Sequence, residues 1–137
     1  LVEVAAAASQ AGAEAVTLIN TVLGLVIDVD SRRPALGAGG GGMSGRAIHP
    51  VAVRAVHSVH AALPDLPVIG VGGVAVGVDA VELMLAGASA VQVGTATFAD
   101  PKAPRSVLEG LGDWCDRHSV TEVGAIVGAA HEDRRDA

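Results

Sequence analysis

Three turns in this sequence have residues able to do chemistry, and each follows directly on a short apolar run. Asn20-Thr21 comes after Val16-Thr17-Leu18-Ile19, Gly70-Val71-Gly72-Gly73 after Val68-Ile69, and Gly94-Thr95 after Ala90-Val91-Gln92-Val93. A carboxamide both donates and accepts hydrogen bonds, which suits the edge of a planar polar ligand. Asn and Thr are also ordinary turn and cap residues, so position alone leaves both readings open. Glycine lets backbone N–H groups come close to an anion. A single glycine after a strand is usually a steric necessity, but two such turns on consecutive strand ends fit a phosphate. Ser44-Gly45 closes the long connection from Thr21 to His49 and offers a hydroxyl and an amide to the same anion. On this reading a side chain at Gly73 is expected to obstruct the anion and leave the fold intact.

The elements that must position these turns follow from periodicity. Helical spacing runs over Leu1 to Ala11, Pro50 to Leu63, Val78 to Ala86 and Pro104 to about Arg117. Strands fit Ala15 to Ile19, Val68-Ile69 and Ala90 to Val93, the first of them apolar enough to be buried on both faces. The stretches Ala11-Gly12-Ala13-Glu14-Ala15-Val16 and Ala86-Gly87-Ala88-Ser89-Ala90-Val91 repeat one pattern of helix exit, glycine turn and strand entry. Alternating units of this kind predict an α/β fold with parallel strands. Three strands are too few for a sheet this apolar, so the expectation is the C-terminal portion of a (β/α)8 TIM barrel, its last three βα units; a small open doubly wound domain is the alternative. Barrels of that class place their sites at the C-terminal strand ends and often bind phosphate on the last two loops with a short extra helix.

Residues 1–118 are read as that barrel part and 119–137 as a C-terminal helix and a solvated tail. Ser119 and Glu122 have capping-box spacing ahead of Val123, Ile126, Val127 and Ala130. The chain begins at Leu1 within a helical pattern, so upstream sequence is expected. Within the final helix Val107, Leu108, Leu111 and Cys115 are expected inside, and Gly110 and Gly112 are each expected to weaken it.

Composition narrows the function. Nine basic against fifteen acidic residues give a net charge of −6, which leaves no basic surface for nucleic acid or an anionic membrane. No window of about 18 uncharged apolar residues exists, so no transmembrane helix is expected. A lone Cys115 points to a reducing compartment, and a cytoplasmic location is expected. His49, His57, His60, His118 and His131 share no face with each other and no metal-ligand spacing with a carboxylate or cysteine, so no metal site is expected. Cys115 lacks a histidine base, and the single lysine, Lys102, suits the surface.

Five ordered motifs then carry a resemblance: Leu18-Ile19-Asn20-Thr21, Ile27-Asp28 through Arg32-Arg33-Pro34, Gly41-Gly42-Met43-Ser44-Gly45, Ile69-Gly70-Val71-Gly72-Gly73-Val74, and Ala86 through Gly94-Thr95. Over roughly residues 1 to 118 the chain resembles the C-terminal part of dihydroorotate dehydrogenase, with Met43 where that family usually has leucine. The resemblance implies an FMN-binding barrel that oxidises dihydroorotate to orotate in pyrimidine (UMP) biosynthesis. The Arg-Arg-Pro segment is most similar to the NAD-linked, two-subunit type, which implies an iron–sulfur/FAD electron-transfer subunit; a homo-oligomer is also expected. Carried over by position, Asn20 and Thr21 would bind substrate. Ile19, Ser44, Gly45, Val71, Gly72, Gly73, Val93, Gly94 and Thr95 would bind FMN, the last turns holding its phosphate. The family's catalytic base, a cysteine or serine, and its flavin-side lysine belong upstream and have no counterpart here. Alternatives are a related FMN barrel acting on reduced pyrimidines, of the dihydropyrimidine dehydrogenase kind, a phosphate-binding barrel without redox chemistry, and a noncatalytic half-barrel acting as an interaction module.

Overall fold

A computed structural model describes residues 1–131 of the chain. In order, the elements are α1 (Val2–Gln10), β1 (Val16–Leu18), β2 (Val22–Gly24), β3 (Ile27–Asp28), β4 (Arg33–Pro34), β5 (Gly41–Met43), α2 (His49–Ala62), β6 (Val68–Val71), α3 (Gly77–Leu85), β7 (Ala88–Gln92), α4 (Ala96–Ala99) and α5 (Ala103–Arg117). Strands β1, β6 and β7 form one parallel sheet in that order, with Val16 beside Val68 and Ile69 beside Ala90. The three consecutive parallel strands, joined by α2 and α3, are the predicted last units of a (β/α)8 barrel.

The helices cover one side of this sheet. The apolar stripe of α2 (Ala52, Val56, Val59) packs with Leu18, Val68, Leu83 and Ala88 in the main core. Leu83, Val56, Val59 and Val68 are the largest fully buried side chains, each contributing roughly 1.5–3 kcal/mol of burial. Pro50 occupies the first turn of α2, where a missing N–H costs nothing, and Pro64 disfavours helical backbone at Leu63 before it. Asp79 starts α3: its Oδ2 accepts from the amides of Ala75 and Val76 at 2.8 and 3.0 Å. Gly70 is a packing glycine, because a Cβ there would lie 3.0 Å from that of Ala88 and 3.3 Å from Leu83.

Burial differs from the sequence expectation on the opposite side of the sheet. Thr17 and Ala90 are exposed and Ile69 is half-buried, so β1 is covered on one face only. In a closed barrel these positions belong to the interior layers of side chains. On the helix side, Leu108, expected inside, is 67% exposed along a groove between α5 and β7 that it shares with Val91, Val93 and Leu111.

Gly110 also departs from its predicted role. A Cβ at Gly77 would collide with the Gly110 backbone, and one at Gly110 would lie 3.1 Å from the Gly77 Cα, so α3 and α5 cross backbone to backbone at this pair. Gly112 has nothing within 4 Å of its Cβ position. Gly112→Ala is therefore expected to stabilise the full-length protein by about 1 kcal/mol through helix propensity. Gly110→Ala is expected to destabilise it by about 1–3 kcal/mol, because the crowded neighbour is backbone. Denaturant midpoints of the two variants check the opposite signs.

The long connection after β1 is an ordered β arm. β2 pairs antiparallel with β5, and β3 with β4, so Gly41-Gly42 is strand. Asp28 turns the tip: its Oδ1 accepts from the Ser31 amide at 2.6 Å, which holds the carboxyl below the usual carboxylate range.

Beyond α5 the expected amphipathic helix is instead two 3-10 turns, Val123–Ile126 and Ala129–His131, and Ser119 takes a left-handed φ of 56° where a cap would need extended backbone. Ile126 packs against Val81 and Met84, and the Gly128 amide donates to the Met84 carbonyl at 2.9 Å. His131, assigned from sequence to a solvated tail, bonds the Ala86 carbonyl at 3.0 Å and stacks on His57 with ring centroids 3.8 Å apart. The rest of that tail, 132–137, lies outside the described residues.

His57, His60 and His131 thus share a surface that sequence spacing did not bring together. Partial burial, with the neighbouring imidazoles adding to it, lowers the pKa of His57 and of His60 from the ordinary value of 6.5. A depressed histidine pKa means that the unfolded chain binds the proton more readily, so stability is lost as pH falls through about 6.5. The melting temperature of the full-length protein is expected to drop between about pH 7.5 and pH 5.5, with a shallower drop in the His57→Gln/His60→Gln double variant.

Candidate functional site

The C-terminal ends of β1, β6 and β7 open into one cavity of about 570 Å3, a size ordinary for a cofactor site. Ten of the eleven residues predicted for the site line it: Ile19, Asn20, Thr21, Ser44, Gly45, Val71, Gly72, Gly73, Gly94 and Thr95. Val93 does not. It is half-buried on the far side of the sheet and lines the groove against α5, because alternate strand residues point to opposite faces.

At the end of β1, Oδ1 of Asn20 accepts from the Thr21 amide at 2.7 Å. The cap and ligand readings of this residue therefore coexist: the oxygen closes the turn, and Nδ2 is the donor left to offer. Thr21 is backed by β5, since a Cβ on Gly42 would run into the Thr21 side chain. The strand end and the start of the arm are held together there, and only a glycine fits between them.

The second turn folds back on the start of α2. Gly72 and Gly73 have φ of +140° and +70°, conformations that L side chains rarely adopt. A Cβ on Gly73 would sit 2.7 Å from the Cβ of His49 and 2.9 Å from both the His49 nitrogen and the Gly45 carbonyl. The expectation that a side chain at Gly73 leaves the fold intact is thus corrected, because the clash is with backbone. Gly45, at φ +84°, belongs to the same junction and reaches across to Thr95, whose Cγ2 is 3.8 Å from its Cβ position.

The third turn is more open. A Cβ on Gly94 would meet nothing within 4 Å, although Gly94 lines the cavity, so the chain leaves room directly in front of this backbone. Thr95 leads into the short helix α4, fixed by the Thr97 hydroxyl donating to the Gly94 carbonyl at 2.8 Å. Glycine amides, a serine and a threonine hydroxyl around an open space form a donor set suited to a phosphate.

Sequence reasoning missed three contributors. Arg46 lines the cavity and brings a cation that the glycine turns themselves lack. Its signal was its place directly after Ser44-Gly45. Asp100 also lines the wall, with Oδ1 accepting from the Lys102 amide at 2.9 Å. His49 is buried behind the second glycine turn, its Nδ1 2.8 Å from the Gly72 carbonyl. Cys115 is buried in α5, away from the cavity lining, and Lys102 is exposed. Among the described residues no group of His, Cys, Asp and Glu could hold a metal, and no helix is long and apolar enough to cross a membrane.

Comparison with known proteins matches this arrangement to one family. A family profile described as dihydroorotate dehydrogenase matches residues 1–114. The chain is 50% identical over 129 residues to a Phocaeicola vulgatus protein named dihydroorotate dehydrogenase B (NAD(+)), catalytic subunit, covering 94% of this chain and 42% of that one. It is also 50% identical over 121 residues to a Solibacter usitatus protein with the provisional name dihydroorotate dehydrogenase A (fumarate), covering 88% and 40%. A crystal structure of the Eimeria tenella dihydroorotate dehydrogenase in complex with ferulenol superposes with a TM-score of 0.78 at 25% identity, over 96% of this chain and 35% of that one. The chain therefore spans about 40–42% of the length of these curated relatives. With motifs, fold and cavity in agreement, this chain belongs to the dihydroorotate dehydrogenase family.

Proposed function

We propose that this chain supplies the phosphate-binding end of an FMN site and one edge of the substrate site in an enzyme that oxidises dihydroorotate to orotate in pyrimidine (UMP) biosynthesis. The observation that carries this reading is the open space in front of Gly94, shared by Gly73, Ser44, Thr95 and Arg46 at the C-terminal ends of three barrel strands. Family membership makes the cofactor a flavin, and the anion-seeking character of the donor set supports FMN in particular. Bound there, FMN supplies the two-electron acceptor for the oxidation.

The chain's own residues bind and orient. The amides of Gly73, Gly94 and Thr95, with Arg46, would hold the phosphate, while Ile19 and Val71 offer apolar surface to the rest of the cofactor. Nδ2 of Asn20 would donate to a ring carbonyl of the pyrimidine, its oxygen being engaged by the Thr21 amide. No residue of this chain is assigned the proton transfer, which the resemblance places on an upstream cysteine or serine. Relatives named as the catalytic subunit of the NAD(+) type support an iron–sulfur/FAD partner for electron transfer. The test is anaerobic mixing of the full-length flavoprotein with dihydroorotate: bleaching of the flavin's visible absorbance with formation of orotate supports the reading, and an unchanged flavin spectrum contradicts it.

A further inference from the structure

His49 was not assigned a role by sequence spacing, yet its side chain hydrogen-bonds the glycine turn from 23 residues away. A carbonyl oxygen only accepts, so at 2.8 Å from the Gly72 oxygen the Nδ1 of His49 must carry the hydrogen. The ring is buried, and its Nε2 lies 3.2 Å from Oε2 of Glu82 on α3, a contact that holds the ring from its other side when Nε2 also carries a hydrogen, since the carboxylate oxygen only accepts. His49 is absent from the cavity wall, whereas Gly72 and Gly73 line it. The ring therefore stands behind the turn.

The peptide joining Gly72 to Gly73 is planar, and in a trans peptide the N–H points opposite to the C=O. Holding the Gly72 oxygen toward His49 consequently directs the Gly73 N–H away from it. Two successive glycines at positive φ have more conformational freedom than any other pair of residues, so this peptide plane needs an external anchor to keep one orientation. We infer that His49 is a positioning residue for the cofactor's phosphate, its Nδ1–H anchoring the Gly72 carbonyl so that the Gly73 amide stays presented to the anion. This rests on the phosphate reading of the site given above.

The test compares FMN with riboflavin, which lacks the phosphate, by titration into the full-length apoprotein. The parent is expected to bind FMN far more tightly than riboflavin. His49→Leu, similar in volume and without a donor, is expected to raise the FMN Kd by about tenfold or more and to leave the riboflavin Kd within about twofold. His49→Asn, whose amide nitrogen takes the place of Nδ1, is expected to stay within about threefold of the parent for both ligands. If the leucine variant does not fold, His49→Gln replaces it, since its amide reaches the Nε2 position and not the Gly72 carbonyl. A leucine or glutamine variant with the parent's full preference for FMN overturns the role of His49, as does an asparagine variant that loses as much as leucine. A parent with no preference for FMN over riboflavin overturns the phosphate reading itself, which separates the two failures.

Discussion

Gly94→Val in the full-length protein is expected to lose its flavin and keep its fold. The Gly94 backbone lies outside the positive-φ region, and its Cβ position touches nothing within 4 Å, so a valine there strains neither chain nor core. Its methyl groups instead enter the cavity where the phosphate would sit. Losing even one charge-assisted hydrogen bond of about 1.5–3 kcal/mol weakens binding roughly 10- to 150-fold. The purified variant should be colourless, with an apo melting temperature within about 2 °C of the parent apoprotein. Gly73→Val makes the instructive contrast, because its side chain would meet His49 and Gly45 at 2.7 to 2.9 Å on a φ of +70°. That protein should lose flavin and stability together. Parent-like FMN affinity in Gly94→Val means that the third turn does not hold the phosphate.

Asn20→Ala is expected to separate substrate from cofactor. The side chain offers one free amide to the cavity while its oxygen holds the Thr21 amide at 2.7 Å. This position is exposed, so water can replace the lost cap at little cost, whereas a substrate carbonyl left without its donor costs about 1–3 kcal/mol. Dihydroorotate affinity should fall roughly 5- to 150-fold with flavin stoichiometry unchanged. Asn20→Asp tests the direction of the bond: it keeps the cap oxygen and replaces the donor by an acceptor, so it should bind substrate no better than alanine does. Equal loss of flavin and substrate in Asn20→Ala would place this residue in the cofactor site instead.

Much of this was legible in the sequence because the strands of a parallel sheet end where polar or glycine residues interrupt an apolar run. That one rule located Asn20-Thr21, Gly72-Gly73 and Gly94-Thr95, and the cavity joins all three. Val93 alone of the predicted site residues is absent from the cavity lining, because the rule finds where a strand ends and not which face its last residue takes; the irregular pairing at Ala88–Ala90, where the register between β6 and β7 shifts, alters that alternation. Helix periodicity found α2 and α5 to within a residue but could not see that Gly110 faces Gly77 across 33 positions of sequence. Nor could it gather His57, His60 and His131, which meet only because the chain after α5 turns back along α3. The role of His49 was hidden for the same reason: its partners, Gly72 and Glu82, are 23 and 33 residues away.

A crystal structure of the full-length protein grown with FMN tests the central claim most directly. The phosphate is expected in the cavity between the turns, with its oxygens within about 3 Å of the Gly73, Gly94 and Thr95 amides and the Arg46 side chain alongside. Flavin bound with its phosphate away from these glycines, or with the isoalloxazine ring occupying the space in front of Gly94, would contradict it.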